Sequence, residues 1–195
     1  MKQYFINNDN LKNEEKTLTY QYLDNRLCFK TNNGLFSKDE LDYHSQILLN
    51  NIEVKTYHKI LDLGCGYGFI GICLSKRYQC HVDFIDIVKL ACDYTSKNCE
   101  LNNITNYEVI NSDGIKNDDL YDLICLNPPI HAGKEVCYAL YQESLKHLSN
   151  NGELVIVIHK KHGALSTISF LESLNYHIRI LYKKKGLFVV SIKNK

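Results

Sequence analysis

Proline is nearly absent from this chain: only two occur in 195 residues, and they stand together as Pro128-Pro129, directly after Asn127. No apolar run approaches the roughly 20 residues that a membrane-spanning helix requires. The opening MKQYFINNDN also lacks the apolar stretch that directs secretion, so the chain is expected in the cytoplasm, with no membrane partner. Charge of one sign is not in excess either, since 23 Lys and Arg face 22 Asp and Glu for a net +1. That balance neither selects nor excludes nucleic acid, and local clusters have to decide. The eight cysteines form no C-x-x-C pair and have no clustered histidines beside them. Neither a disulfide framework nor a metal site follows, and they read as reduced, mostly buried small hydrophobes. Repeats and low-complexity linkers are missing, while 45% of the residues are apolar and 23% charged. Such a composition belongs to a chain that folds on its own core.

What the chain does have is alternation. Residues 17–31 (TLTYQYLDNRLCFKT) hold two β-rich runs around Asp24-Asn25, the chemistry of a tight hairpin turn. Ser37, with Glu40 three residues on, reads as a capping box opening a helix through Leu41, Ile47 and Leu48. From residue 57 onward strand-like and helix-like segments alternate: YHKILDL, GFIGICLSKRY, HVDFIDI, VKLACDYTSKNCELNN, YEVINSD and YDLICL. After the prolines come KEVCYALYQESLKHL, GELVIVIH, GALSTISFLESL, and two last strands, YHIRILY and GLFVVSI, joined by KKKG. The fold expected is α/β: a Rossmann-like, seven-stranded, mostly parallel sheet with helices on both faces. Because KKKG is too short for a crossover, the sheet must end in an antiparallel hairpin. Residues 1–50 form a small β-hairpin and lead-in helix packed on a main domain of residues 51–195.

The first strand runs into LDLGCGYGFIG, where Gly66, Gly68 and Gly71 make a G-x-G-x-x-G before a helix, and Asp86 ends the next strand twenty residues after Gly66. This context fits nucleotide binding, with glycines admitting a ligand to the backbone and the carboxylate accepting from ribose hydroxyls. A pyrophosphate prefers positive potential, whereas Asp62 stands just before the loop and Gly64 lengthens it. An acid there suits the cationic amino group and sulfonium of S-adenosylmethionine. Asp113, in INSDG after the third strand, is placed either to accept from an adenine amine or simply to turn the chain before Gly114.

Taken together, LDLGCGYGFIG, FIDI, NSDG and LNPPIHAGKEV resemble the class I S-adenosylmethionine-dependent methyltransferases. More closely, the chain resembles the "methyltransferase small" group, which includes the catalytic half of bacterial ribosomal RNA guanine-N2 methyltransferases. The likeness extends to NGLFSKDELDYHSQILL, similar to the group's lead-in, and to HKKHGA, similar to its loop after the fifth strand. It implies S-adenosylmethionine as cofactor, its methionine part on Asp62, Gly64, Cys65, Gly66 and Gly68, its ribose on Asp86 and its adenine on Asp113. Phe36 and Ser37 would close over the cofactor, and Asn127 would border it. Two positions depart from the group: Val88 stands where a polar residue is common, and Ile130 replaces the aromatic of N-P-P-F or N-P-P-Y.

The placement of the prolines then acquires a chemical reason. An exocyclic amine is a poor nucleophile because its lone pair is delocalised into the ring. Acceptors aimed at its hydrogens, here the Asn127 oxygen and the Pro128 carbonyl, help it pyramidalise and stabilise the developing charge. Pro128 and Pro129 stiffen that loop, and Ile130 packs against a base. Lys160, Lys161 and His131 lie where they can hold substrate phosphate or sugar, whereas Lys183–Lys185 read as a solvated turn. The reading is an N-methyltransferase for an exocyclic amine, guanine N2 of ribosomal RNA being the expected target. Alternatives are the same chemistry on a protein glutamine or small-molecule amide, and a NAD-dependent oxidoreductase or non-catalytic nucleotide-binding module. The assembly is either a monomer or a homodimer.

Overall fold

The computed structural model describes residues 15–35, 37 and 39–195. A two-stranded antiparallel sheet, β1 (Glu15–Tyr22) and β2 (Asn25–Asn32), comes first, followed by helix α1 (Tyr43–Asn50). The main sheet is built from β3 (Lys59–Leu63), β4 (His81–Asp86), β5 (Tyr107–Asn111), β6 (Tyr121–Leu126), β7 (Leu148–His159), β8 (His177–Lys184) and β9 (Leu187–Lys193). Between these strands lie α2 (Phe69–Tyr78), α3 (Lys89–Leu101), α4 (Lys134–Lys146) and α5 (Ala164–Ser173). The strand order is β5-β4-β3-β6-β7-β9-β8. Pairing is parallel from β5 to β7, and β9 runs antiparallel to both neighbours. The expected seven-stranded sheet with its closing hairpin is therefore present.

Continuous apolar runs suit strands covered on both faces, because successive side chains point to opposite sides. Ile60, Leu123 and Val155 enter a core shared with Leu48, Ile72 and Phe84. Their neighbours Leu61, Ile124 and Ile156 enter a second core, with Tyr141 and Leu171. Packing is tightest where α2 crosses β4: a Cβ at Gly71 would lie 2.2 Å from the Phe84 ring. All eight cysteines are free; seven are buried and Cys28 is half-buried. No helix among the described residues is long and apolar enough to cross a membrane.

Two local expectations are corrected. The hairpin turns at Leu23-Asp24, one residue early, with Tyr22 paired to Asn25 and Leu23 at φ 51°. β1 and β2 pair along all eight residues, from Glu15 opposite Asn32 to Tyr22 opposite Asn25, with Tyr22, Leu27 and Phe29 buried on one face. The turn follows this pairing rather than the dipeptide preference of Asp24-Asn25. Helix α1 starts at Tyr43 rather than after Ser37. Its N-cap is Asp42, whose side chain accepts the Ser45 N–H at 2.7 Å, whereas Ser37 Oγ donates to the Glu40 carbonyl. Leu41 thus precedes the helix.

Helix α3 clips the hairpin in place. Asn98 accepts from the Lys30 N–H at 2.7 Å and donates to the Lys30 carbonyl at 2.9 Å; Asn102 does the same at Cys28. Two amides thereby satisfy a strand edge that would otherwise lack partners.

Candidate active site

Three strand ends place the site. Leu63 pairs with Ile85 on one side and with Leu126 on the other, so Gly64, Asp86 and Asn127 leave the carboxyl edge of the sheet in adjacent positions. This is where the connections diverge to opposite sides of β3, the crevice at which open α/β sheets bind ligands. Two strand spacings separate the β4 and β6 ends, about 10 Å.

The loop between β3 and α2 holds Gly64, Gly66 and Gly68 at φ of 69°, 59° and 84°, the left-handed region that favours glycine. A Cβ at Gly66 would meet nothing within 4 Å, so the loop is open to a ligand there. Its amides, however, are largely spent internally. Gly64 and Cys65 donate to the Ile85 carbonyl at 2.8 and 3.0 Å, Gly68 donates to the Cys65 carbonyl, and Gly66 donates to Asp86 Oδ2 at 2.9 Å. The loop therefore offers shape more than donors. From α3, Thr95 Oγ1 donates to the Gly66 carbonyl and Asn98 to that of Tyr67, fixing the loop from behind. The Cys65 thiol turns to Thr95 Oγ1 at 3.4 Å.

Asp86 receives one backbone N–H on each oxygen, Gly66 on Oδ2 and Val88 on Oδ1, both at 2.9 Å. Burial raises its pKa and these amides pull it back. Each oxygen keeps a lone pair for an incoming hydroxyl. Ile87, next in sequence, is 44% exposed, an apolar surface beside that carboxylate.

Asp62 is 2% exposed and accepts the Gly71 N–H at 2.8 Å, anchoring the first turn of α2 from beneath the loop. Burial pushes its carboxyl up to about 7; the Gly71 N–H lowers it and the Asp86 charge raises it. A carboxyl held above its ordinary value near 4 stabilises the fold at low pH, and that contribution is lost as pH rises through about 7. Between these limits the stability of wild type relative to Asp62→Asn is expected to fall by up to about 1.4 kcal/mol per pH unit. Urea titrations of both proteins at pH 5 to 8 measure it, and parallel pH dependences would contradict the burial argument.

Beyond β6 the chain makes an inverse γ-turn, with Pro129 at φ −74° and ψ 75° and the Ile130 N–H donating to the Pro128 carbonyl at 2.8 Å. The Pro128 oxygen, expected to accept from a substrate amine, thus already has one partner and keeps one lone pair. The Pro129 oxygen is taken by Ala132 N–H. Ile130 is half-buried against the second core. Asn127 is held from its nitrogen end: Nδ2 donates to Asp42 Oδ2 at 2.9 Å and to Ser45 Oγ at 3.0 Å, leaving Oδ1 unengaged among the described residues.

Of the other positions, Asp113 is 69% exposed and pairs with Lys116 Nζ at 2.9 Å. Ser37 is half-buried at φ 53°, and Phe36 lies outside the described residues. His131, Lys160 and Lys161 are exposed. The Lys160 N–H donates to the Gly186 carbonyl at 2.7 Å, and His159 Nε2 lies 3.3 Å from the Lys185 carbonyl. Lys160 and Lys161 therefore share one basic edge with Lys183–Lys185, two clusters the sequence kept apart. Desolvation, then the charges of His159, His44, His131 and Lys161, hold His162 below its usual pKa, and the His159 and His162 rings lie 5.9 Å apart at this edge. Sequence reasoning missed Asp42, Ser45, Thr95 and Asn98; only Asp42, an N-cap residue type, carried a local signal.

The profile of the methyltransferase small domain matches residues 26–191. A Bacillus subtilis protein, YbxB, is 36% identical over 195 residues, with 97% of each chain covered. The ribosomal RNA small subunit methyltransferase C of Haemophilus influenzae is 34% identical over 94% of this chain but 56% of its own length. The chain thus spans about half of that relative. In structure, the Thermus thermophilus 16S rRNA N2 G1207 methyltransferase, solved with AdoMet and guanosine, superposes with a TM-score of 0.82 at 22% identity, covering 95% of this chain and 52% of that one. With sheet order, glycine loop and profile in agreement, the chain belongs to the methyltransferase small domain family of S-adenosylmethionine-dependent methyltransferases.

Proposed function

We propose that this chain methylates an exocyclic amine of a nucleobase, with guanine N2 of ribosomal RNA as its target in the cytoplasm. The observation that carries this reading is the Asn127 amide, which is pinned by its nitrogen so that a bare acceptor oxygen stands at the end of β6. A fixed acceptor is what a delocalised amine needs from an enzyme, and preorganisation avoids reorienting the amide during reaction.

The residues fit S-adenosylmethionine. The open face at Gly66 admits it, the spare lone pairs of Asp86 suit ribose hydroxyls, and Ile87 offers an apolar face to adenine. The span from Asp86 to Asn127, about 10 Å, suits a nucleoside with its sulfonium arm. When bound, that cofactor supplies an electrophilic methyl group: the amine lone pair forms the new N–C bond, the C–S pair returns to sulfur, and one amine proton leaves to solvent. Asn127 Oδ1 and the free lone pair of Pro128 accept from the amine hydrogens, drawing electron density onto nitrogen as charge develops. Ile130 bounds the pocket for the base. The basic edge at Lys160, Lys161 and Lys183–Lys185 suits phosphates, with His131 as a further substrate contact. Within residues 1–50, the hairpin of 15–32 and helix α1 serve as a lead-in that braces the catalytic domain of residues 51–195.

The test offers tritiated S-adenosylmethionine to in-vitro-transcribed 16S and 23S rRNA, ribosomal subunits and a cell protein extract. Label in RNA that digests to N2-methylguanosine is expected. Label confined to protein, or to another nucleoside, overturns the proposed target.

A further inference from the structure

We propose that Asp42 and Ser45, on the first turn of α1, are positioning residues that decide which end of the Asn127 amide faces the substrate; this rests on the reading of Asn127 given above. An asparagine amide turned half a revolution about its last torsion keeps its shape and exchanges oxygen for NH2. Steric fit therefore cannot choose between the two orientations, and the choice falls to hydrogen-bond partners. Asp42 supplies an acceptor at 2.9 Å and Ser45 a second at 3.0 Å, one for each amide hydrogen. An ionised Asp42 has no hydrogen to give, so the reversed amide would set its oxygen against a carboxylate and turn donors toward an amine that needs acceptors.

The partners are themselves fixed. Asp42 Oδ2 also accepts the Ser45 N–H at 2.7 Å, so one oxygen both caps the helix and holds the amide. Leu48 and Leu49 of the same helix are fully buried, and Ser45 is 8% exposed. Asp42 thus holds the Asn127 amide from a helix that is itself anchored in the core.

Ser45→Ala removes one acceptor and leaves the cap, while Asp42→Gly removes the other and keeps a residue tolerated at that cap. Each, and the pair, is made in the wild type and in Asn127→Ala, then assayed on in-vitro-transcribed rRNA, with S-adenosylhomocysteine affinity and Tm measured alongside. Ser45→Ala is expected to lower kcat by about 10-fold and the pair by more, with KM and cofactor-product affinity within about 3-fold. In the Asn127→Ala background neither change should cost anything further, and Ser45→Thr, which keeps the hydroxyl, should retain turnover. Unchanged kcat, or losses that multiply in the absence of Asn127, would overturn the proposal. Hydrogen exchange at the Asn127 side-chain NH2, followed by NMR, needs no turnover: protection in the wild type that is lost in the pair is expected. Free exchange in the wild type overturns this inference alone, whereas a protected amide in a protein that methylates no RNA overturns the functional reading alone.

Discussion

Asn127→Ala is expected to lower methyl transfer by about 100-fold or more while leaving cofactor affinity within a few-fold. The magnitude is that of losing one preorganised group aimed at developing charge. The asymmetry follows from the proposed site: its cofactor contacts are Gly66, Asp86 and Ile87, whereas Asn127 ends β6, on the other side of β3 from the Asp86 strand end. The substitution leaves Asp42 and Ser45 without their shared donor, but the Ser45 N–H still occupies Asp42 Oδ2, so the fold should lose no more than about 1–2 kcal/mol. Single-turnover transfer, calorimetry with S-adenosylhomocysteine and a urea titration separate the three effects. Near-normal turnover would remove Asn127 from the mechanism.

Asp86→Ala should act on the other half of the site. A carboxylate accepting two ribose hydroxyls contributes hydrogen bonds of about 1.5–3 kcal/mol each, so cofactor affinity is expected to fall by about 100-fold or more. The same change strips the Gly66 and Val88 N–H groups of their acceptor, which loosens the glycine loop and the start of α3 together. Tm should therefore drop as well, by more than in Asn127→Ala. Calorimetry gives the first quantity and thermal unfolding the second. Unchanged affinity with a lowered Tm would make Asp86 a loop brace rather than a ribose ligand.

The parts of this molecule that were legible in its sequence are those with short-range periodicity. Apolar runs such as LVIVI and LICL marked strands buried on both faces, and KKKG between two runs left no alternative to a hairpin. The same reasoning put the glycine loop, Asp86 and Asn127 at strand ends, because each closes or follows such a run. It failed where a local preference met a long-range demand. Asp24-Asn25 is the better turn dipeptide, yet the chain turns at Leu23-Asp24, where the pairing of β1 with β2 along their whole length places it. Ser37 and Glu40 have capping-box spacing, yet Asp42 caps α1 and also reaches Asn127, 85 residues away. The glycine loop was recognisable, but that its amides are committed to Ile85 and Asp86 depends on how β4 sits beside β3. Likewise, Lys160 and Lys185 became neighbours only through the pairing of β7 with β9.

The account stands most directly on one structure, a crystal soaked with S-adenosylhomocysteine and guanosine. The expected result has the guanine N2 amine within about 3 Å of Asn127 Oδ1, with Nδ2 still on Asp42 and Ser45 and the ribose of the cofactor product on Asp86. A base seated with its amine away from residue 127, or an amide turned so that nitrogen faces the base, contradicts it.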